Sequence, residues 1–263
     1  MVKIPCAPKK NDDDCSHTCF TREDLVKMAK ILNKKGKKIK ISKRNKHQLW
    51  HDIKDKMGQK CDDMCMFKKL KGGDPDEVFR PKMPEHWKNN MSEWLSTTDI
   101  NKVMKQYEDK YDNFIFFGAV PADCPVGFTC SLSNINLDKL RKQGKTKIGI
   151  VYNMDTHNKP GSHWVAMFID LDDNEVNYYD SYGDDIETAP IRKFKKKMLK
   201  ALGENAVYKY NDKRHQYKDS ECGIFCIKFI EYRLKGRSME YIKKHMPNDK
   251  QVQKYRKKFY RTK

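Results

Sequence analysis

The junction between a polar run and an apolar run near residue 222 limits most strongly what this chain can fold into. The polar run, residues 216–223, ends in Glu-Cys-Gly. The apolar residues that follow recur at spacings of three and four, which predicts a buried helix: Ile224, Phe225, Ile227, Phe229 and Ile230. Cys222 then lies in the first turn, where free N–H groups and the positive dipole end favour a thiolate. A thiolate is a nucleophile that needs a base and an oxyanion donor.

A second pair of runs, upstream of this junction, supplies a base. Residues 161–170 carry a histidine at their third position and continue as an apolar strand, and residues 175–181 form a second apolar run that ends near an aspartate. The turn residues 172–174 between them predict a hairpin. Because the start of one antiparallel strand lies beside the end of the next, we expect His163 and Asp180 to face each other. A carboxylate-oriented base near a thiol follows the logic of a catalytic triad.

Each of these residues also has a purely structural interpretation when it is taken alone. His163 could be a satisfied strand histidine, and Cys222 could be a buried helix thiol, which is what we predict for Cys226 inside the apolar helix. Two other histidines are rival bases. We predict that His215 supports its loop and that His157, in another loop, has no orienting carboxylate nearby.

Four motifs follow one another in a fixed order: His163-Trp164, Asp180-Ser181, Gln216 and Cys222-Gly223. This order and its spacings resemble the ubiquitin-like-protein-specific protease and adenain group of cysteine proteases. Upstream, residues 94–100 are similar to that family's Trp-Leu-Asn-Asp-x-x-Ile segment, with Ser96 and Thr97 in place of Asn and Asp. The runs 214–216 and 221–223 look closer to the maturation proteases of large DNA viruses.

The resemblance extends from Trp94 to Leu234 and implies a role for each site residue. Cys222 would be the nucleophile, His163 the base and Asp180 the carboxylate that holds the base. The Gln216 side-chain amide and the Cys222 backbone N–H would bind the oxyanion. Neither a metal nor a cofactor is expected for this chemistry.

Two tryptophans, Trp94 and Trp164, are the candidate substrate-binding residues. Indoles that close over a peptide leave a slot for backbone-like residues only, and the family commonly cleaves after Gly-Gly or Gly-x-Gly-like sequences. We therefore expect a cysteine endopeptidase that acts on protein substrates with Gly-rich sites, in the maturation of viral polyproteins or structural proteins. Three alternatives stay open: a deconjugating isopeptidase for a ubiquitin-like modifier, an acyltransferase with the same triad, and a nucleic-acid-binding scaffold.

The order of predicted elements indicates an α+β fold, since strands cluster in the middle of the chain and helices at both ends. The resemblance implies a central mixed or antiparallel sheet flanked by helices. Residues 1–70 are predicted to form a small, basic, Cys-containing helical region, residues 71–93 a Pro-rich linker, and residues 94–263 the protease domain. Helix-start signals at 21–24 and 45–48 support the helical first region.

Cysteines are numerous and partly paired in sequence. Cys15 and Cys19 are four apart, as are Cys61 and Cys65, and three interpretations stay open: a zinc site, disulfides, or buried thiols. Nine cysteines without a secretory signal indicate an intracellular reducing compartment in which thiols stay free. For a viral protein this would be the host cytoplasm and the virion.

A formal net charge of +19 favours acidic partners. The basic residues form three clusters, at 34–46, 192–200 and 254–263. Such clusters predict binding to nucleic acid without sequence preference, or they are ordinary surface lysines. No apolar run approaches the length of a membrane span, so we expect no membrane partner. We expect a monomer.

Overall fold

Contacts separate the chain into two units in the computed structural model, which describes residues 5–8, 17–124, 130–186 and 188–262. The first unit comprises Met1–Met83 and Lys257–Lys263, and the second comprises Pro84–Arg256.

These units differ from the segments predicted at 1–70, 71–93 and 94–263. Residues of the predicted linker join the first unit because Val78 and Phe79 are buried in its apolar core. The extent of the protease domain stays a prediction.

The first two helices of the first unit begin where the sequence predicts: α1 (Arg22–Lys34) and α2 (Lys46–Met57). They are followed by α3 (Asp63–Met66), a π-helix at Phe67–Lys71 and a 3-10 turn at Pro75–Glu77. Thr21 caps α1 and Asn45 caps α2, each in a reciprocal capping box. Their apolar faces meet in a buried core that includes Leu25, Leu49 and Phe79.

Disulfide bonds decide between the interpretations of the cysteine pairs. Cys61 bonds to Cys65, and Cys19 bonds to Cys6. Cys15 lies outside the described residues. A zinc site built from Cys19, Cys61 and Cys65 is therefore excluded, because the sulfur atoms are bonded to other sulfurs.

The expectation that thiols stay free is wrong for these cysteines. Cys124 and Cys130 form a further disulfide in the second unit. Within the part of the chain that the structure describes, the free cysteines are Cys222 and Cys226, and both are buried. The predicted compartment stays a prediction.

A five-stranded sheet organises the second unit. Its strands are β1 (Phe114–Pro121), β2 (Lys147–Asn153), β3 (Trp164–Asp170), β4 (Glu175–Tyr179) and β5 (Val207–Tyr210). They lie in sequence order, with β2–β3 and β3–β4 antiparallel and β1–β2 and β4–β5 parallel. The sheet is therefore mixed.

Helices precede, separate and follow these strands along the chain. After a 3-10 turn at Glu85–Lys88 come α4 (Thr97–Lys110), α5 (Leu137–Lys142), α6 (Ala189–Leu202), α7 (Cys222–Leu234), α8 (Met239–His245) and α9 (Asp249–Phe259). The predicted α+β fold with a mixed sheet flanked by helices is confirmed. No helix among the described residues has the length and apolar character that crossing a membrane requires.

The most buried elements are β3 and α7, and they pack against each other. Every residue of β3 is buried, and so are most residues of α7. The start of β3 and the N-terminus of α7 are therefore held by a rigid core, as a precisely spaced site requires.

Candidate active site

Three predicted residues lie at the ends of these buried elements. His163 directly precedes β3, and Asp180 directly follows β4. The antiparallel register, which pairs Ala166 with Tyr179, brings both to the same edge of the sheet. Cys222 is the first residue of α7. The predicted hairpin and the predicted helix start are both confirmed.

The side chains of these three residues lie close together. His163 Nε2 lies 2.7 Å from Asp180 Oδ1, and the Cys222 side chain is near enough to help raise the pKa of His163. Asp180 Oδ1 accepts a further hydrogen bond from the Tyr182 backbone N–H at 2.9 Å. Cys222 is 1% exposed, and only 12% of the His163 side chain is exposed. The structure thus joins a thiol, an imidazole and a carboxylate in a site largely closed to water.

The surroundings of His163 favour its charged form. Burial lowers the pKa, but the hydrogen bond to Asp180, the Asp180 charge and the neighbouring Cys222 side chain outweigh it and raise the pKa of His163 from 6.5 to about 9. The imidazole is therefore protonated at neutral pH.

Gln216 is fully buried beside the turn that follows Asp180. Its side-chain oxygen accepts a hydrogen bond from the Ser181 hydroxyl at 2.7 Å, and its side-chain nitrogen donates to the Lys218 carbonyl. The Gln216 backbone N–H donates to the Ser181 carbonyl at 2.9 Å. These bonds fix the amide in the loop that leads to Cys222.

The two predicted substrate-binding tryptophans have different surroundings. Trp164 is 5% exposed, and its indole N–H donates to the Leu95 carbonyl at 2.9 Å. Trp94 is 39% exposed. Gly223 allows Leu95 to approach the first turn of α7, because a Cβ at Gly223 would meet the Leu95 Cβ at 3.0 Å. Trp164 is thus fixed in a wall beside Cys222, and Trp94 presents its ring to solvent.

The rival histidines have other partners. His215 Nδ1 lies 3.0 Å from the Tyr179 hydroxyl and Nε2 lies 3.1 Å from the Lys243 carbonyl, so its predicted loop-supporting role is confirmed. Burial lowers the pKa of His215. The expectation for His157 was wrong, because its Nδ1 lies 2.6 Å from Asp123 Oδ2. Asp123 follows β1 and lies 34 residues before His157, so only the folded chain brings the two side chains together.

Sequence reasoning missed two residues that support the site. The Tyr182 ring stacks on the His163 ring at 4.5 Å between centroids, with 11° between planes. Arg256 on α9 is fully buried, and its Nε donates to Glu221 Oε2 at 3.0 Å, next to Cys222. Tyr182 could have been found from its place directly after Asp180-Ser181. Arg256 gives no local signal, because it lies 35 residues after Glu221.

Among the residues that the structure describes, no group of three or more His, Cys, Asp or Glu side chains is arranged to hold a metal ion.

Comparison with known proteins places the chain among proteases. The family model described as the Ulp1 protease family, C-terminal catalytic domain, matches residues 150–263. A thiol protease of Acanthamoeba polyphaga mimivirus is 34% identical over 283 aligned positions, which cover 98% of this chain and 93% of that protein. A cysteine protease of African swine fever virus is 23% identical in an alignment that covers 73% of this chain and 76% of that protein.

A solved structure shares the fold. The crystal structure of an African swine fever virus protease superposes with a TM-score of 0.67 at 20% sequence identity, covering 98% of this chain and 96% of that chain. Fold and relatives together define the class: the protein is a cysteine protease. More narrowly, the chain belongs to the Ulp1 protease family, as its motifs predict.

Proposed function

We propose that the protein is an endopeptidase that cleaves after Gly-Gly or Gly-x-Gly-like sequences and matures viral structural proteins, with Cys222, His163, Asp180 and Gln216 as its catalytic residues. The observation that supports this most strongly is the largely buried His163 ring, which lies 2.7 Å from the Asp180 carboxylate and beside the Cys222 side chain. The viral origin of the similar proteases supports the maturation role.

The chemistry follows from this arrangement. Asp180 engages Nε2 of His163, so Nδ1 is the nitrogen that exchanges a proton with Cys222. The Cys222 thiolate attacks the peptide carbonyl, and protonated His163 then gives its proton to the departing amine. Water hydrolyses the acyl-enzyme with His163 as base. The Gln216 amide and the Cys222 backbone N–H stabilise the oxyanion, each contributing about 3 kcal/mol to barrier lowering.

The wall beside the thiol supports glycine selectivity. A Cβ added at Gly223 would meet Leu95 at 3.0 Å and Trp164 at 3.5 Å, so these two side chains pack closely against the backbone next to Cys222. The exposed Trp94 ring adjoins this wall in the chain. A substrate pressed between such surfaces fits best without side chains at the two positions before the cut.

A peptide library tests this selectivity. Wild-type protein should release new termini mainly after glycine, and Cys222→Ala protein should release none. Trp94→Ala should broaden the accepted residues, if the Trp94 ring lines the slot. Efficient cleavage by wild-type protein after large or charged residues would contradict the proposal.

An isopeptidase that removes a ubiquitin-like modifier is the alternative. Its support is a relative from African swine fever virus that is named a SUMO-1 cysteine protease and is 23% identical over 73% of this chain. Turnover of a modifier–lysine conjugate should be compared with turnover of a linear peptide that has the same Gly-Gly sequence. Cleavage of the conjugate alone would favour the isopeptidase.

Polyanion binding is a second proposed activity. On α6, four cations share the solvent-exposed face while Ile191 and Phe194 are buried beneath them: Lys193, Lys196, Lys197 and Lys200. Log affinity for duplex DNA should fall linearly with log salt, by about 0.9 per phosphate contacted. Replacing Lys193, Lys196 and Lys200 by Gln should reduce that slope. No binding by anisotropy at about 50 mM salt would refute this activity.

A further inference from the structure

Beyond the triad, an exposed arginine is fixed close to the candidate site. The guanidinium carbon of Arg214 lies 5.1 Å from the ring centroid of Tyr182 and 5.1 Å from that of Tyr217. Its Nε donates to the Gln216 carbonyl at 2.7 Å. Both ring distances lie within the cation–π range. A guanidinium held between two rings is planar and preorganised.

The backbone beneath this arginine is also fixed. The N–H groups of His215 and Gln216 both donate to the Ser181 carbonyl at 2.9 Å. Gly183 has a φ of +88°, and a Cβ there would meet the backbone nitrogen of Arg214 at 2.8 Å. Only glycine permits this approach, so the turn after Asp180 holds Arg214 in place.

The arginine continues a wall that starts at the thiol. Cys222 lies beside His163, the Tyr182 ring stacks on His163, and the Arg214 guanidinium lies over the Tyr182 ring. The distance from the His163 ring through the Tyr182 ring to the Arg214 guanidinium is on the order of 10 Å. An extended peptide spans that distance in about three residues. In the proposed mechanism His163 gives its proton to the departing amine, and on that basis we assign this wall to the segment after the cut.

The charge of Arg214 is not neutralised by an ion pair among the described residues. Lys213 and Lys218 are exposed nearby in the chain, and Asp212 is paired with Lys243 at 3.1 Å. Burial, Cys222, Asp219 and Asp180 raise the pKa of Tyr182, in that order, and the charge of Arg214 lowers it. Asp180 is bound to His163, which leaves Asp219 as the carboxylate that competes for Arg214. With Nε occupied by Gln216, the two Nη groups form the edge that binds a carboxylate in a bidentate manner.

We infer that Arg214 is a specificity-determining residue that binds an acidic side chain within the first three substrate residues after the scissile bond. This inference rests on the proposed endopeptidase function. It names the substrate class more narrowly: a glycine-containing cleavage site followed closely by Asp or Glu.

Matched peptides test the inference. They share one Gly-Gly site and carry Glu, Gln or Lys at the first, second or third position after the cut. Wild-type protein should show a kcat/KM about threefold to tenfold higher for Glu than for Gln at one of these positions. Arg214→Gln should remove the preference, and Arg214→Glu should reverse it towards Lys.

Lys213→Gln is the matched control, because it removes an equal, exposed charge from the neighbouring residue without touching the stacked rings. It should keep the preference for Glu. Asp219→Asn should strengthen that preference. An equal kcat/KM for Glu and Gln in wild-type protein, or the same preference in Arg214→Gln, would overturn the inference while leaving the proposed function intact. If no peptide is cleaved at all, the proposed function fails and the inference falls with it.

Discussion

Two histidine–carboxylate pairs of almost equal length occur in the second unit, and their surroundings differ. His163 and Asp180 lie 2.7 Å apart, and His157 and Asp123 lie 2.6 Å apart. The His163 side chain is 12% exposed, whereas that of His157 is 74% exposed. His163 additionally lies beside Cys222, which helps raise its pKa, and the Tyr182 ring stacks on the His163 ring.

A short histidine–carboxylate distance alone is therefore not enough to make a histidine a catalytic base. In water, an ion pair of this kind is screened and contributes little. At His163, interactions with Asp180 and Cys222 that are less screened than in water outweigh the lowering by burial and raise the pKa to about 9. Burial and a third partner therefore separate the candidate catalytic pair from the surface pair.

The largest effect is expected from removing the nucleophile or the base. Cys222→Ala and His163→Ala should each lower kcat/KM on a Gly-Gly peptide by at least about ten-thousandfold, because the members of such a unit act together. His157→Ala should retain wild-type turnover. Residual activity above a tenth of wild type in Cys222→Ala would contradict the assignment.

Exchanging the two carboxylates for amides sharpens the comparison. Asp180→Asn should lower kcat by about a thousandfold, since the amide no longer stabilises the imidazolium or holds its tautomer. Asp123→Asn, an equal change at the other pair, should leave kcat near its wild-type value. Similar losses in the two variants would mean that burial does not distinguish the pairs.

Stability should depend on pH through His163. Its folded pKa of about 9 lies above the ordinary 6.5, so its stabilising contribution is complete below pH 6.5 and is lost as pH rises through 9. That contribution is at most about 3 kcal/mol. The difference in free energy of unfolding between wild type and Asp180→Asn, from urea titrations, should therefore shrink from pH 6 to pH 10.

The surface pair provides the reference for this titration. Asp123→Asn should change the free energy of unfolding less than Asp180→Asn does at pH 6, because His157 stays largely in water. An Asp180→Asn effect that is constant between pH 6 and pH 10 would refute the raised pKa.

The smallest effect is expected from the stacked ring. Tyr182→Leu should lower kcat about twofold to tenfold on a peptide without acidic residues, because an aromatic contact of this kind contributes about 0.5–1.5 kcal/mol. KM should change less than kcat, since the ring orients His163. A change confined to KM would indicate that Tyr182 contacts substrate without positioning the base.

Local features of the site could be predicted from sequence. The turn at 172–174 placed His163 opposite Asp180, and the change from polar to apolar residues placed Cys222 at the start of α7. Both signals arise from short stretches of chain. Capping boxes at Thr21 and Asn45 are local in the same way.

Long-range pairings could not be predicted, because no local pattern specifies them. Cys19 bonds to Cys6 although Cys15 is nearer in sequence to Cys19. Asp123 reaches His157 across 34 residues, and Arg256 reaches Glu221 across 35. Each depends on how separate elements pack, which the residues alone do not reveal.

Covalent labelling tests the central claim, that Cys222 is the nucleophile that His163 activates. A Gly-Gly peptide ending in a vinyl sulfone should alkylate wild-type protein at Cys222 alone, as mapped by mass spectrometry after digestion. The labelling rate should drop at least about tenfold in His163→Ala and stay unchanged in His157→Ala. Labelling at another residue, or an equal rate in His163→Ala and wild type, would contradict the account.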